Sequence, residues 1–118
     1  MVAMTEIKRA AKRLGDKARA ERVILFGSYA RGQAGDHSDV DLLIIAESDL
    51  PRPKRSRELY MLLRPHPFAM DLLVYTPQEV ERSRRSSLSF ISTVLKEGKT
   101  LYARRPRTRQ AVARKGQE

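Results

Sequence analysis

The chain has 118 residues, with 24 Lys plus Arg against 14 Asp plus Glu and a formal charge of +10. That length suits one domain with no second catalytic lobe, and 41% hydrophobic content supports a modest core rather than disorder. The lack of cysteine excludes disulfides, thiolate metal sites and thiol nucleophiles. No apolar run approaches the roughly 20 residues of a membrane span, so a cytoplasmic protein without membrane attachment is expected.

Ile7, Ala10, Ala11, Leu14 and Ala18 recur at helical spacing with basic residues between them, which predicts an amphipathic helix over 5–20 opened by a Thr5 cap. Val23-Ile24-Leu25-Phe26, ended by Gly27-Ser28, and the run over 40–46 predict two buried strands. Between them a short helix over 28–31 and a loop over 32–38 are expected. Pro51 and Pro53 precede a predicted helix over 54–64, in which Leu59, Leu62 and Leu63 share a face and which Pro65 and Pro67 end. A third strand follows over 69–75. Thr76-Pro77-Gln78-Glu79 has the order of a capped helix start, and Leu88, Ile91, Val94 and Leu95 mark a last helix closed by Gly98. Leu101-Tyr102 completes the pattern as a short strand. Strands alternating with helices define an α/β (α+β) fold, a central mixed sheet flanked by helices.

The basic excess is concentrated in two places, the first helix and the segment over 104–118, where Arg104, Arg105, Arg107, Arg109, Arg114 and Lys115 face only Glu118. The latter has little to bury, so a domain over 1–103 with a mobile basic tail over 104–118 is expected. Weak, sequence-independent nucleic-acid contact is one use for such a tail, and plain solvation is the other.

Three carboxylates fall where a core is not expected to want them. Asp39 and Asp41 stand two apart at the start of a strand, so the period of two sends both to one face. Asp71 opens the third apolar run in the same way. Ionised carboxylates about 5 Å apart repel by roughly 3 kcal/mol per pair at an effective dielectric near 20. Hard oxygen donors of this kind suit Mg²⁺, which characteristically completes its shell with substrate phosphates. A lone Asp-x-Asp is otherwise a solvated strand end. Gly27-Ser28 directly after the first strand offers backbone N–H groups and a hydroxyl to an anion, although Gly-Ser alone is a common turn.

Together these residues resemble a known pattern. GSYARG over 27–32, followed by SDVDLLI over 38–44, resembles the signature of the polymerase-beta-type nucleotidyltransferases, and MDLLVYT over 70–76 resembles the strand bearing their third carboxylate. The TPQEV and LKEGKTLY segments and the small size are similar to the minimal nucleotidyltransferases, whose members serve as antitoxins beside separately encoded HEPN ribonuclease toxins. The resemblance covers residues 5–102. It implies that Asp39, Asp41 and Asp71 are catalytic and hold two Mg²⁺ ions, and that Gly27 and Ser28 bind the triphosphate of ATP. It further implies that AMP passes to a hydroxyl, typically tyrosine, of a HEPN toxin encoded by a neighbouring gene. Arg31 is a candidate phosphate contact, with a solvated arginine as the alternative reading. His37 and His66 have no His or Cys companion at ligand spacing and read as surface imidazoles. Arg82, Arg84 and Arg85 read as a charged helix face, and Tyr29 and Tyr75 as packing residues. The competing readings are a catalytically silent antitoxin acting by contact and a transferase acting on RNA or a small molecule.

Overall fold

The computed structural model describes residues 1–104, so the predicted tail lies, apart from Arg104, outside the described residues. The elements in chain order are α1 (Met4–Ala18), β1 (Arg22–Phe26), β2 (Val40–Ile45), a 3₁₀ turn (Arg52–Lys54), α2 (Arg57–Leu62), β3 (Met70–Tyr75), α3 (Pro77–Ser83), α4 (Phe90–Glu97) and β4 (Lys99–Ala103). The sheet runs β3-β2-β1-β4. β1 is antiparallel to β2 and β4, while β2 and β3 are parallel, so the sheet is mixed as expected.

Alternation along the strands sorts the core into two layers. Val23, Leu25, Leu42, Ile44, Leu72 and Val74 point to one face and pack against Ile7, Leu14, Leu59 and Leu63 of the α1 and α2 region. Ile24, Leu43 and Ile45 point to the other, beneath Val80, Ile91 and Val94 of α3 and α4, with Phe26, Leu73 and Tyr75 at its margin. Gly15 lets α1 approach the last strand, because a Cβ there would run into the Tyr102 ring. The Tyr102 hydroxyl donates to Asp16 Oδ1 at 3.1 Å.

Several boundaries differ from expectation for local reasons. α1 begins at Met4 with Ala3 as its cap residue and no side-chain cap bond, so Thr5 lies inside the helix. It ends where Arg19 turns left-handed at φ 52. The helix expected over 54–64 is split into the 3₁₀ turn and α2, with Arg55 between them committed to other bonds. α4 starts at Phe90 under a Ser89 cap and leaves Leu88 outside, 92% exposed. Gly98 ends α4 in extended backbone at φ −78 rather than as a left-handed cap.

The C-terminal end of β3 is tied by ions. Thr76 and Glu79 form the expected capping box, with Thr76 N–H donating to Glu79 Oε1 at 2.9 Å. The Arg55 guanidinium donates to both Glu79 oxygens, at 2.6 and 3.0 Å, and also to the carbonyls of Leu50 and Val74. Arg52 lies over the Tyr75 ring at 4.2 Å and 3.7 Å from Glu79. The Arg55 hydrogen bonds hold the Glu79 carboxyl well below its ordinary range, at about 2. The outer edge of β3 is met by Tyr60, whose hydroxyl accepts from Leu72 N–H at 2.8 Å.

Candidate active site

Register places the sequence's candidate residues in one row. Phe26 of β1 lies opposite Asp41 of β2, and Asp41 lies opposite Asp71 of β3. Asp41 alternates with Leu43 and Ile45, and Asp71 with Leu73 and Tyr75, so both carboxylates share the face covered further along by α3 and α4. Asp39 stands one residue before β2 begins, and it and Asp71 are exposed while Asp41 is half-buried.

Gly27 is required twice over at the end of β1. Its φ of +75 is a conformation that side chains rarely adopt, and a Cβ there would run into Asp41 Oδ2. The segment that follows is a turn rather than the short helix expected over 28–31. Arg31 N–H donates to the Gly27 carbonyl at 3.1 Å and Gln33 N–H to the Ser28 carbonyl at 2.9 Å, but no regular helix develops. The N–H groups of Ser28, Tyr29 and Ala30 donate to no backbone carbonyl among the described residues, which leaves them free for an anion. Tyr29 is buried, and its hydroxyl accepts from Val2 N–H at 3.0 Å, which anchors the turn to the chain's start. Arg31 is exposed at the end of the turn and donates from Nε to Gln33 Oε1 at 3.2 Å.

The electrostatics set Asp41 apart. Burial pushes its carboxyl above the ordinary value, Asp71 and then Asp39 push it further, and Arg31 offsets part of the rise. None of the three Asp side chains takes part in an ion pair among the described residues. Nor do any three acidic, histidine or cysteine side chains there gather closely enough to hold one ion as a group. Underpaired hard oxygens open on one side fit an Mg²⁺-type cation, which takes one or two carboxylates and fills its shell with water and phosphate. His37 is exposed, and His66 approaches the Tyr60 carbonyl at 3.0 Å, so neither imidazole joins the site.

A cleft of about 250 Å³ continues from the turn, bounded by Gly27, Ala30 and Arg31 on one side and by Phe90, Thr93, Val94 and Glu97 of α4 on the other. Sequence reasoning finds α4 as a core helix but not this wall. Its exposed side carries no motif, and its approach to the turn is a tertiary contact that no local pattern announces.

An anion-ready turn beside acidic strand starts is a frame for chemistry at phosphorus. Residues 5–66 match the nucleotidyltransferase domain family, and the chain belongs to that family. Three proteins of Methanocaldococcus jannaschii, each named "putative protein adenylyltransferase", are similar to it: 38% identical over 49% of this chain, 55% over 36% and 30% over 73%. The matched stretches span 58% and 26% of the first two relatives and 82% of the third. A structure described as a "putative nucleotidyltransferase" from Sulfolobus solfataricus superposes with a TM-score of 0.57 at 20% identity, over 85% of this chain and 83% of that one. A toxin-antitoxin structure with AMP-PNP superposes with a TM-score of 0.50 at 19% identity, over 83% and 74%. These two likenesses concern the fold. No helix among the described residues is long and apolar enough to cross a membrane.

Proposed function

We propose that this chain is an antitoxin that transfers AMP from ATP to a hydroxyl, typically tyrosine, of a separately encoded HEPN ribonuclease toxin and thereby silences it. The observation that carries the reading is Asp41 held in register between Phe26 and Asp71, half-buried and without a paired cation, beside a turn with unpaired amides. A pure binding surface gains nothing from such repulsion. The names of the M. jannaschii relatives support a protein acceptor, and the toxin-antitoxin structure with AMP-PNP supports a toxin as partner and an adenine nucleotide as donor.

Each residue then has a separate task. The Ser28, Tyr29 and Ala30 amides and the Ser28 hydroxyl grip the outer phosphates, and Gly27 keeps the backbone close enough for that grip. Asp39, Asp41 and Asp71 would hold two Mg²⁺ ions between them. When bound, these ions would lower the acceptor hydroxyl's pKa and neutralise charge on the departing pyrophosphate. The acceptor oxygen forms a bond to the α-phosphorus while the bond from that phosphorus to the bridging oxygen breaks, and the hydroxyl proton leaves to solvent. Arg31 adds positive charge next to Asp41 and the phosphates.

The test is incubation with ATP, Mg²⁺ and the protein encoded by the neighbouring gene, followed by intact-mass measurement of that protein. A gain of whole AMP units that is lost with Asp41→Ala is expected. A tight complex with no mass gain overturns transfer and leaves neutralisation by contact.

A further inference from the structure

We propose that the cleft between the Gly27 turn and α4 is a nucleobase subsite, in which Phe26 and Phe90 form a wall for a purine and Glu97 accepts from the base's amino group. The inference rests on the transferase reading, because it assigns the part of the donor that lies beyond the triphosphate.

The cleft shares Gly27 with the phosphate-gripping turn, so a ligand whose phosphates sit at the turn has its uncharged end within reach. Arg31 is the one cation of the lining and stands on the turn side, where the phosphates sit, while the α4 side disfavours the triphosphate as occupant. Phe26, Phe90, Ala30 and Val94 are apolar, and the Glu97 carboxylate repels anions. The volume of about 250 Å³ accepts one bicyclic ring system. Phe26 and Phe90 meet edge to face, with centroids 5.5 Å apart, which fixes the wall's geometry, and Phe90 remains 46% exposed for a further ring to cover. Glu97 belongs to no ion pair among the described residues, so its acceptor oxygens are not consumed by another charge there.

A carboxylate accepts hydrogen bonds and cannot donate them. It therefore favours bases whose Watson–Crick edge carries an amino group, such as adenine, and disfavours uracil, whose single N–H lies between two carbonyl oxygens. The aromatic wall separately favours the larger stacking area of a purine. Two selectivities thus come from two different parts of the cleft, the aromatic wall and Glu97.

Calorimetric titration of the whole chain in Mg²⁺ with ATP, CTP, UTP and inorganic tripolyphosphate separates them. ATP binds about tenfold tighter than CTP and CTP about tenfold tighter than UTP, with UTP near tripolyphosphate. Phe90→Ala closes the gap between ATP and CTP. Glu97→Gln, at an exposed position where folding is not at stake, closes the gap between CTP and UTP. Equal affinity for the three nucleotides, or a Glu97→Gln effect that is the same for all of them, overturns the subsite. Tripolyphosphate binding that depends on Asp41, found together with either result, leaves the transferase reading standing. No binding of any probe overturns both.

Discussion

The two ends of β3 use acidic residues in opposite ways. Beyond its C-terminus, Glu79 is met by Arg55 on both oxygens and by the Thr76 amide, and its carboxyl is held at about 2. At its start, Asp71 faces Asp41 across the ladder, and the Asp41 carboxyl is pushed up by burial and by its acidic neighbours. One end spends its charge on holding α3 and the 3₁₀ turn to the sheet. The other leaves its charge without an ionic partner among the described residues, against the interest of the fold.

That contrast breaks most sharply at Asp41. On the proposed two-metal reading, Asp41→Ala should lower AMP transfer by about a thousandfold or more, since such a metal contribution is worth several kcal/mol, while circular dichroism shows the fold retained. Equal transfer by the variant in a mass time course removes the functional half of the comparison. Arg55→Ala is the mirror experiment. It leaves Glu79 with only the longer Arg52 contact and the Thr76 amide and removes bonds to Leu50 and Val74, so a loss of roughly 2–3 kcal/mol is expected, seen as a thermal midpoint lower by about 10 °C or more. Affinity for Mg²⁺-ATP should be unchanged in that variant at temperatures where it is folded.

The pH dependence carries opposite signs at the two ends. Glu79 has a folded value of about 2 against 4.5 unfolded, so its stabilisation is complete above 4.5 and is lost as pH falls from there towards 2. Asp41 is raised above 3.8, so its contribution in metal-free protein is complete below 3.8 and is lost as pH rises through its folded value. Denaturant titrations of Glu79→Gln should lose the first dependence, and those of Asp41→Asn the second. The smallest effect belongs to Asp71→Asn. In metal-free buffer near neutral pH it should leave stability unchanged or raise it by up to about 1 kcal/mol, as one repelling charge is gone. A clear fall in midpoint would make Asp71 a structural residue and dissolve the contrast.

The functional end of β3 is the more legible one in the sequence. Val40 to Ile45 and Met70 to Tyr75 are apolar runs broken only at their second residues, Asp41 and Asp71, so alternation alone puts both carboxylates on the face that the structure gives them. The Thr76-Pro77-Gln78-Glu79 cap is likewise local and reads directly. Arg55 does not, because its partner lies 24 residues away and nothing within a helical turn of it announces the pair. The turn over 28–31 misleads for a related reason. Its residues are helix-compatible, but Gly27 enters with positive φ and the chain must then reach the start of β2. Leu88 has the spacing of α4 yet falls outside it, since Ser89 caps the helix one residue later.

The Tyr60 hydroxyl on the outer edge of β3 has a consequence for the molecule in solution. An edge strand of sequence MDLLVY offers its unpaired backbone groups to any passing extended segment, including the same strand of another copy. By occupying the Leu72 N–H, one phenol from α2 blunts strand addition at the middle of that edge. The carboxylate-bearing strand thus stands at the rim of the sheet with the donor at the middle of its free edge already engaged.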